Sequence, residues 1–252
     1  MKPLDTAVIR EALRSENDLL GDLYRDADPE TPIPTCGDWR LKNLLAHVGG
    51  GHRWAARMIT LRSTERVEFA DVPDVRRPRD PAEVDGWFRP TADAVIDAVD
   101  ATGRDVPVWT PFGALRPAEW WIRRRLHENT GHRADALLAL GQPVSIDPVL
   151  GADGLEEFLG LLEMGSARFR NPLDDGTSLL LQATDTGDAW SVRRTEDSIG
   201  WTDSTEPATA TVRGAAVDLY LLLLGRIPAD SPVLTVSGDA AVLPTWLART
   251  QF

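Results

Sequence analysis

AEWWIRRRLHENTGHRADALLALG, residues 118–141, decides how the chain is read. It reads as one helix closed by Gly141, a suitable C-cap. Glu128 and His132 stand four residues apart, so on an ideal helix they lie about 40° apart on one face and can share an ion. His127 and His132 point about 140° away from each other, which makes His127 a packing residue or a support for the ligands.

The other two histidines, His47 and His52, lie in WRLKNLLAHVGGGHRWA, residues 39–55. A helix is expected there from an N-cap at Asp38, weakened in its middle by Gly49, Gly50 and Gly51, which let another helix or a ligand approach closely. His52 sits near the centre of the stripe of Leu41, Leu45, Val48 and Ala55, and His47 toward its margin; periodicity does not choose between them. Two more helices complete the first half. Ile9, Ala12, Leu13, Leu19, Leu20 and Leu23 recur at helical spacing, and PAEVDGWFRPTADAVIDAVDAT, residues 81–102, is a helix that Pro90 interrupts or kinks. All four histidines are then neighbours in a four-helix bundle, an architecture that commonly builds metal sites from facing helices.

A lone histidine is more often a hydrogen-bonded core residue than a ligand. Clustering and the Glu128 partner reverse that balance for His132. An imidazole pair with a carboxylate is a typical ligand set for a catalytic zinc that keeps an open position. Cys36 is the only cysteine, so the closed four-ligand site of a structural zinc is absent, and thiol chemistry with two sulfurs must import one.

From GQPVSIDP, residues 141–148, the texture changes. SLLLQAT (178–184), AWSVRRT (189–195), ATATVRG (208–214) and VLTVSG (233–238) are strand-like runs between turns. AAVDLYLLLLGR (215–226) and DAAVLPTWLART (239–250) are helices. Strands with helices on one face give an α+β layer, so a second domain follows a boundary near 142–152.

Composition excludes some functions. With 39 acidic against 27 basic residues and a net charge of -12, the surface repels nucleic acid and anionic lipid. No run approaches the roughly 18 apolar residues of a membrane span, and acids occupy the first twenty residues, so a cytoplasmic protein is expected. Lys2 and Lys42 are the only lysines, a bias that points to a GC-rich, actinobacterial source.

WRLKNLLAHVGGGHRWA followed by HENTGHRADALLALG resembles the mycothiol-dependent maleylpyruvate isomerase family, and ATVRGAAVDLYLLLLGR and VSGDAAVLPTWL are similar to its C-terminal domain. The resemblance implies a DinB-like, metal-binding four-helix bundle over 1–142 and a smaller α+β domain over 150–252. It implies a divalent metal, zinc by preference, on His47, Glu128 and His132, with mycothiol as the thiol cosubstrate. The activity it implies is attack of the metal-held thiolate on a small electrophile, giving an S-transferase if the adduct is kept or a cis–trans isomerase if it is expelled after bond rotation. Two competing readings are a metal-dependent hydrolase and a non-catalytic module in which metal secures the fold. Arg226 reads first as a cation at a helix C-terminus and second as an anion binder. Trp54, Trp120 and Trp121 read as packing residues rather than site residues.

Overall fold

The computed structural model describes residues 4–164, 171–196 and 198–250, which fall into two compact units, Leu4–Ser145 and Ile146–Phe252. In the first unit, helices α1 (Thr6–Asp26), α2 (Leu41–Thr60), α3 (Pro81–Phe88), α4 (Thr91–Thr102) and α5 (Trp120–Ala139) surround an apolar core that includes Leu20, Leu44, Leu45, Val48, Phe88 and Ala136. α1 lies along α5, α2 along α4, and α2 also touches α5. A two-stranded hairpin, β1 (Pro107–Val108) with β2 (Arg116–Pro117), leads into α5.

Local chemistry sets the helix ends. Asp80 accepts from the Ala82 N–H and Pro81 opens α3, while Arg89 and Pro90 separate α3 from α4, as Pro90 predicts. Gly141 takes φ 65° just past α5, and the Gln142 N–H returns to the Leu137 carbonyl. Two expectations are corrected. α2 starts at Leu41, not after Asp38, because residues 31–41 are held in a tight loop by Ile33 N–H to the Trp39 carbonyl and Leu41 N–H to the Thr31 carbonyl. Arg40 is the N-cap residue, and its N–H donates to Asn43 Oδ1 at 2.9 Å, one half of a capping box. On α1, Leu19 is 43% exposed. It lies about 100° around the helix from Leu20, and the buried face instead carries Glu16 and Asn17.

The three glycines of α2 serve three different neighbours. A Cβ on Gly49 would come within 2.7 Å of the Trp87 ring, one on Gly50 within 2.9 Å of Phe69 and the Val75 carbonyl, and one on Gly51 within 2.6 Å of Arg125 Nη2. Gly49→Ala is expected to destabilise the protein, because overpacking against buried rings costs about 1–3 kcal/mol while alanine returns only roughly 1 kcal/mol of helix propensity. Gly86, exposed inside α3 with nothing within 4 Å of an added Cβ, is the control. Gly86→Ala should stabilise. Denaturant midpoints moving in the same direction for both variants would contradict this account.

The second unit opens with α6 (Pro148–Glu163), whose first N–H groups are capped by Asp147. Five strands follow: β3 (Ser178–Ala183), β4 (Ala189–Arg194), β5 (Ile199–Asp203), β6 (Ala210–Gly214) and β7 (Thr235–Gly238). The sheet order is β5-β4-β3-β6-β7, with β3 and β6 parallel and the other pairs antiparallel. Leu179 and Leu181 pair with Val192 and Trp190 on one side and with Ala210 and Val212 on the other. These side chains share a core with Phe158 of α6, Leu219 of α7 (Ala216–Leu223) and Trp246 of α8 (Val242–Arg249). The helices thus cover one face of a mixed sheet. Among the described residues, no helix is long and apolar enough to cross a membrane.

Candidate metal centre

α2 carries His47 to the α5 surface where Glu128 and His132 stand one turn apart. His47 Nε2 lies 2.9 Å from Glu128 Oε1, and His132 Nε2 lies 3.7 Å from the same oxygen. The three ligand atoms are within 4.8 Å of one another. Metal–ligand bonds of about 2.0–2.2 Å put tetrahedral neighbours roughly 3.4 Å apart, so these spacings fit a single ion. His47 has the most exposed side chain, at 41% against 14% for His132, and leaves the site open on its side.

The surroundings orient each group. His132 Nδ1 is 3.0 Å from Oδ2 of the fully buried Asp135. A proton held there leaves Nε2 as the free lone pair facing His47 and Glu128. Asp135 also accepts from Cys36 Sγ at 3.4 Å. Arg124 pairs with Glu128 Oε2, and Arg125, whose Nη2 donates to the Val48 carbonyl at 3.2 Å, reaches to 3.9 Å from Oε1. Burial alone would raise the Glu128 carboxyl, but Arg124, the two histidines and Arg125 hold it well below the usual range. Burial would lower His132, but Asp135, Cys36 and Glu128 raise it well above the ordinary imidazole value.

His52, by contrast, is fully buried against Thr91, its Nδ1 3.2 Å from the hydroxyl, and burial keeps it well below its ordinary value. His127 is buried as well. The structure therefore brings together His47, Glu128 and His132, not His52 or His127. Trp54, Trp109, Trp121 and Trp120 form an edge-to-face cluster of packing rings. Arg226 donates to the Leu224 carbonyl beyond the end of α7, as a helix-terminal cation does. The aromatic residue at the centre is Trp39, with its ring 4.9 Å from His47 and 6.0 Å from His132. Sequence reasoning assigned it no role, although it heads the histidine-bearing segment.

Asp135→Asn is expected to keep the fold and weaken metal binding by roughly 10–100-fold, the usual effect of removing a carboxylate that orients a ligand histidine. Competition with a chromophoric chelator measures it. Unchanged affinity would mean that Asp135 does not set the His132 orientation.

A helical unit holding two imidazoles and a carboxylate around one open point, followed by a mixed-sheet domain, defines a class of two-domain proteins with a candidate metal centre. The sequence profile of the mycothiol maleylpyruvate isomerase N-terminal domain matches residues 9–137, and that of the MDMPI C-terminal domain matches residues 150–245. The chain belongs to the mycothiol maleylpyruvate isomerase family. Crystal structures of the mycothiol-dependent maleylpyruvate isomerase, native and with one histidine changed to alanine, have the same fold, with TM-scores of 0.64 and 0.65. Each is 16% identical, and the match covers 94% of this chain and 95% of that one. No curated protein sequence matches the chain.

Proposed function

We propose that this chain is an enzyme in which residues 1–142, a DinB-like bundle of α1, α2, α4 and α5, hold one divalent ion on His47, Glu128 and His132 and use mycothiol to attack a small electrophile. Residues 150–252 form the family's C-terminal domain. Two imidazoles and a carboxylate suit zinc. Bound there, the ion would favour the thiolate over the thiol and so supply a nucleophile at neutral pH.

The observation that carries the reading is the position of sulfur. Cys36, the only cysteine, donates to Asp135 Oδ2 at 3.4 Å and is not among the His47, Glu128 and His132 group. A nucleophilic sulfur at that group would then be a free thiol brought in from outside. Glu128, held by Arg124 through Oε2, would present Oε1 to the ion, and Asp135, holding the Nδ1 proton, would turn His132 Nε2 toward it. Trp39 shields one side of the histidine pair from water. Addition of sulfur to an electron-poor double-bonded carbon leaves a single bond free to rotate. Loss of sulfur then restores the double bond and returns the thiol, which makes the chain a cis–trans isomerase, the outcome its family supports. Retention of the adduct would make it an S-transferase. The lysine-poor composition agrees with an actinobacterial source, where mycothiol is the thiol at hand.

Cobalt substitution tests the reading. Titrating mycothiol into the cobalt form should add a sulfur-to-metal charge-transfer band, and turnover should need metal and thiol together. Ester or amide hydrolysis by the metal form without thiol would instead establish the hydrolase. Neither band nor turnover would leave a non-catalytic module.

A further inference from the structure

His132 turns Nε2 toward Glu128 and Nδ1 toward a second group of metal-ligating atoms. Nδ1, Cys36 Sγ and an Asp135 carboxylate oxygen all lie within 4.8 Å of one another. Asp135 Oδ2 is their meeting point, 3.0 Å from Nδ1 and 3.4 Å from Sγ. An ion held at about 2.0–2.3 Å by nitrogen, oxygen and sulfur in tetrahedral geometry separates those atoms by roughly 3.4–3.6 Å. The observed spacings come close to that, so small side-chain shifts admit an ion between all three.

The fold fixes the donors from two directions. Asp135 follows His132 by three residues on α5, and its side chain is fully buried. Cys36 comes from the loop ahead of α2, in a short turn over Pro34–Cys36. Its N–H donates to the Ile33 carbonyl at 2.9 Å, and the Ile33 N–H donates in turn to the Trp39 carbonyl at 2.9 Å. Gly37 takes φ 64° immediately afterwards, a conformation that suits glycine and turns the chain back. The backbone on both sides of the cysteine is thereby held, with Sγ placed against Asp135. Cys36 stays half-buried, which gives an ion a way in past the sulfur. A thiol is a weak hydrogen-bond donor and adds little to a carboxylate that an imidazole already faces. To a soft cation, the same sulfur is a strong ligand.

We propose that Cys36 Sγ, His132 Nδ1 and Asp135 Oδ2 form a second metal site, for a thiophilic divalent ion of the zinc and cadmium class. His132 bridges it to the ion on His47 and Glu128. The inference goes beyond the thiol-addition reading and needs no mycothiol. Binding moves two protons to solvent, one from the Cys36 thiol and one from His132 Nδ1, and leaves an imidazolate shared between two cations. Thiolate, carboxylate and imidazolate together offset the charge of an ion taken into a largely buried place. The group on His47, Glu128 and His132 offers nitrogen and oxygen only, so sulfur gives the second site its preference for the softer ion.

The test is a cadmium titration of the zinc-loaded, full-length protein. A sulfur-to-cadmium charge-transfer band should grow in the ultraviolet and saturate at one cadmium per chain, on top of the zinc already bound. Cys36 is the only cysteine, so the band reports this site alone. Cys36→Ser should abolish the band and leave the zinc content unchanged. Asp135→Asn should move its midpoint to cadmium concentrations higher by at least the roughly 10–100-fold that loss of a supporting carboxylate costs. In the parent protein labelled with ¹⁵N-histidine, the His132 Nδ1 resonance should shift in step with the band, a readout that needs no variant. Absence of the band at stoichiometric cadmium, or cadmium replacing zinc ion for ion without it, overturns the proposal. So does a band that grows while Nδ1 stays unmoved, or one that titrates unchanged in Asp135→Asn, because either would mark a simple adduct of Cys36. Retained zinc without the band would defeat the second site and leave the first standing.

Discussion

Replacing His47 and His132 together with alanine should leave a folded protein that no longer retains a divalent ion. The residual ligand, Glu128, is surrounded by Arg124 and Arg125. With both imidazoles gone, its charge is satisfied by guanidinium and it has little reason to recruit a cation. A residue that merely supports a metal ligand costs about 10–100-fold in affinity, so two lost ligands together should cost on the order of 10⁴-fold or more. The fold should survive because His47 is exposed and His132 is not in the apolar core. Elemental analysis of untagged protein should fall from about one ion per chain to near zero, with the helical circular dichroism kept. Stoichiometric metal in the double variant would sink the ligand assignment. Glu128→Gln is the milder companion, removing charge while keeping shape, and should weaken the ion without abolishing the site.

Much of the frame was legible in the sequence because it depends on local rules. The break at Pro90, the cap at Gly141 and the alternation in 178–195 are decided by neighbouring residues. α6 was not recognised, because PVLGADGLEEFLGLLE buries residues on several sides and shows no single stripe. The short β5 gave too few residues to read as a strand. Leu19 and Asp38 misled for a related reason: tertiary contacts on α1 and in the 31–41 loop outweighed composition.

At the candidate metal centre, the pairing of Glu128 with His132 on one helix face followed from four-residue spacing alone. The choice between His47 and His52 did not, because it depends on how α2 is rotated against α5. That rotation is fixed by Gly49 under Trp87 and Gly51 under Arg125, contacts between residues far apart in sequence. Asp135, three residues beyond His132, was within reach of the same helical argument.

The largest effect on stability is expected at the residue next to the candidate ligand His132. Arg133 lies about 100° around α5 from it, facing α1, where it makes a bidentate pair with Glu16 at 2.7 and 2.9 Å and a third bond to the Ser145 carbonyl at 2.6 Å. Both side chains are almost fully buried, with 5% and 7% exposure. Glu16→Ala would strand a buried guanidinium and should cost about 3–5 kcal/mol, a large share of the roughly 5–15 kcal/mol that holds a typical domain folded. Removing both charges with volume kept, as in Glu16→Leu with Arg133→Met, should recover most of that loss, because a buried ion pair contributes little beyond a well-packed apolar pair. Denaturant unfolding of the two singles and the double gives the coupling directly. A Glu16→Ala cost below about 1 kcal/mol would show the pair behaving like a solvent-exposed bridge. Metal content measured well below the unfolding transition should be unchanged in Glu16→Ala, since His132 is oriented by Asp135 and not by its neighbour. Loss of the ion in that variant would mean instead that the anchoring of α5 to α1 and the geometry of the metal centre are one cooperative unit.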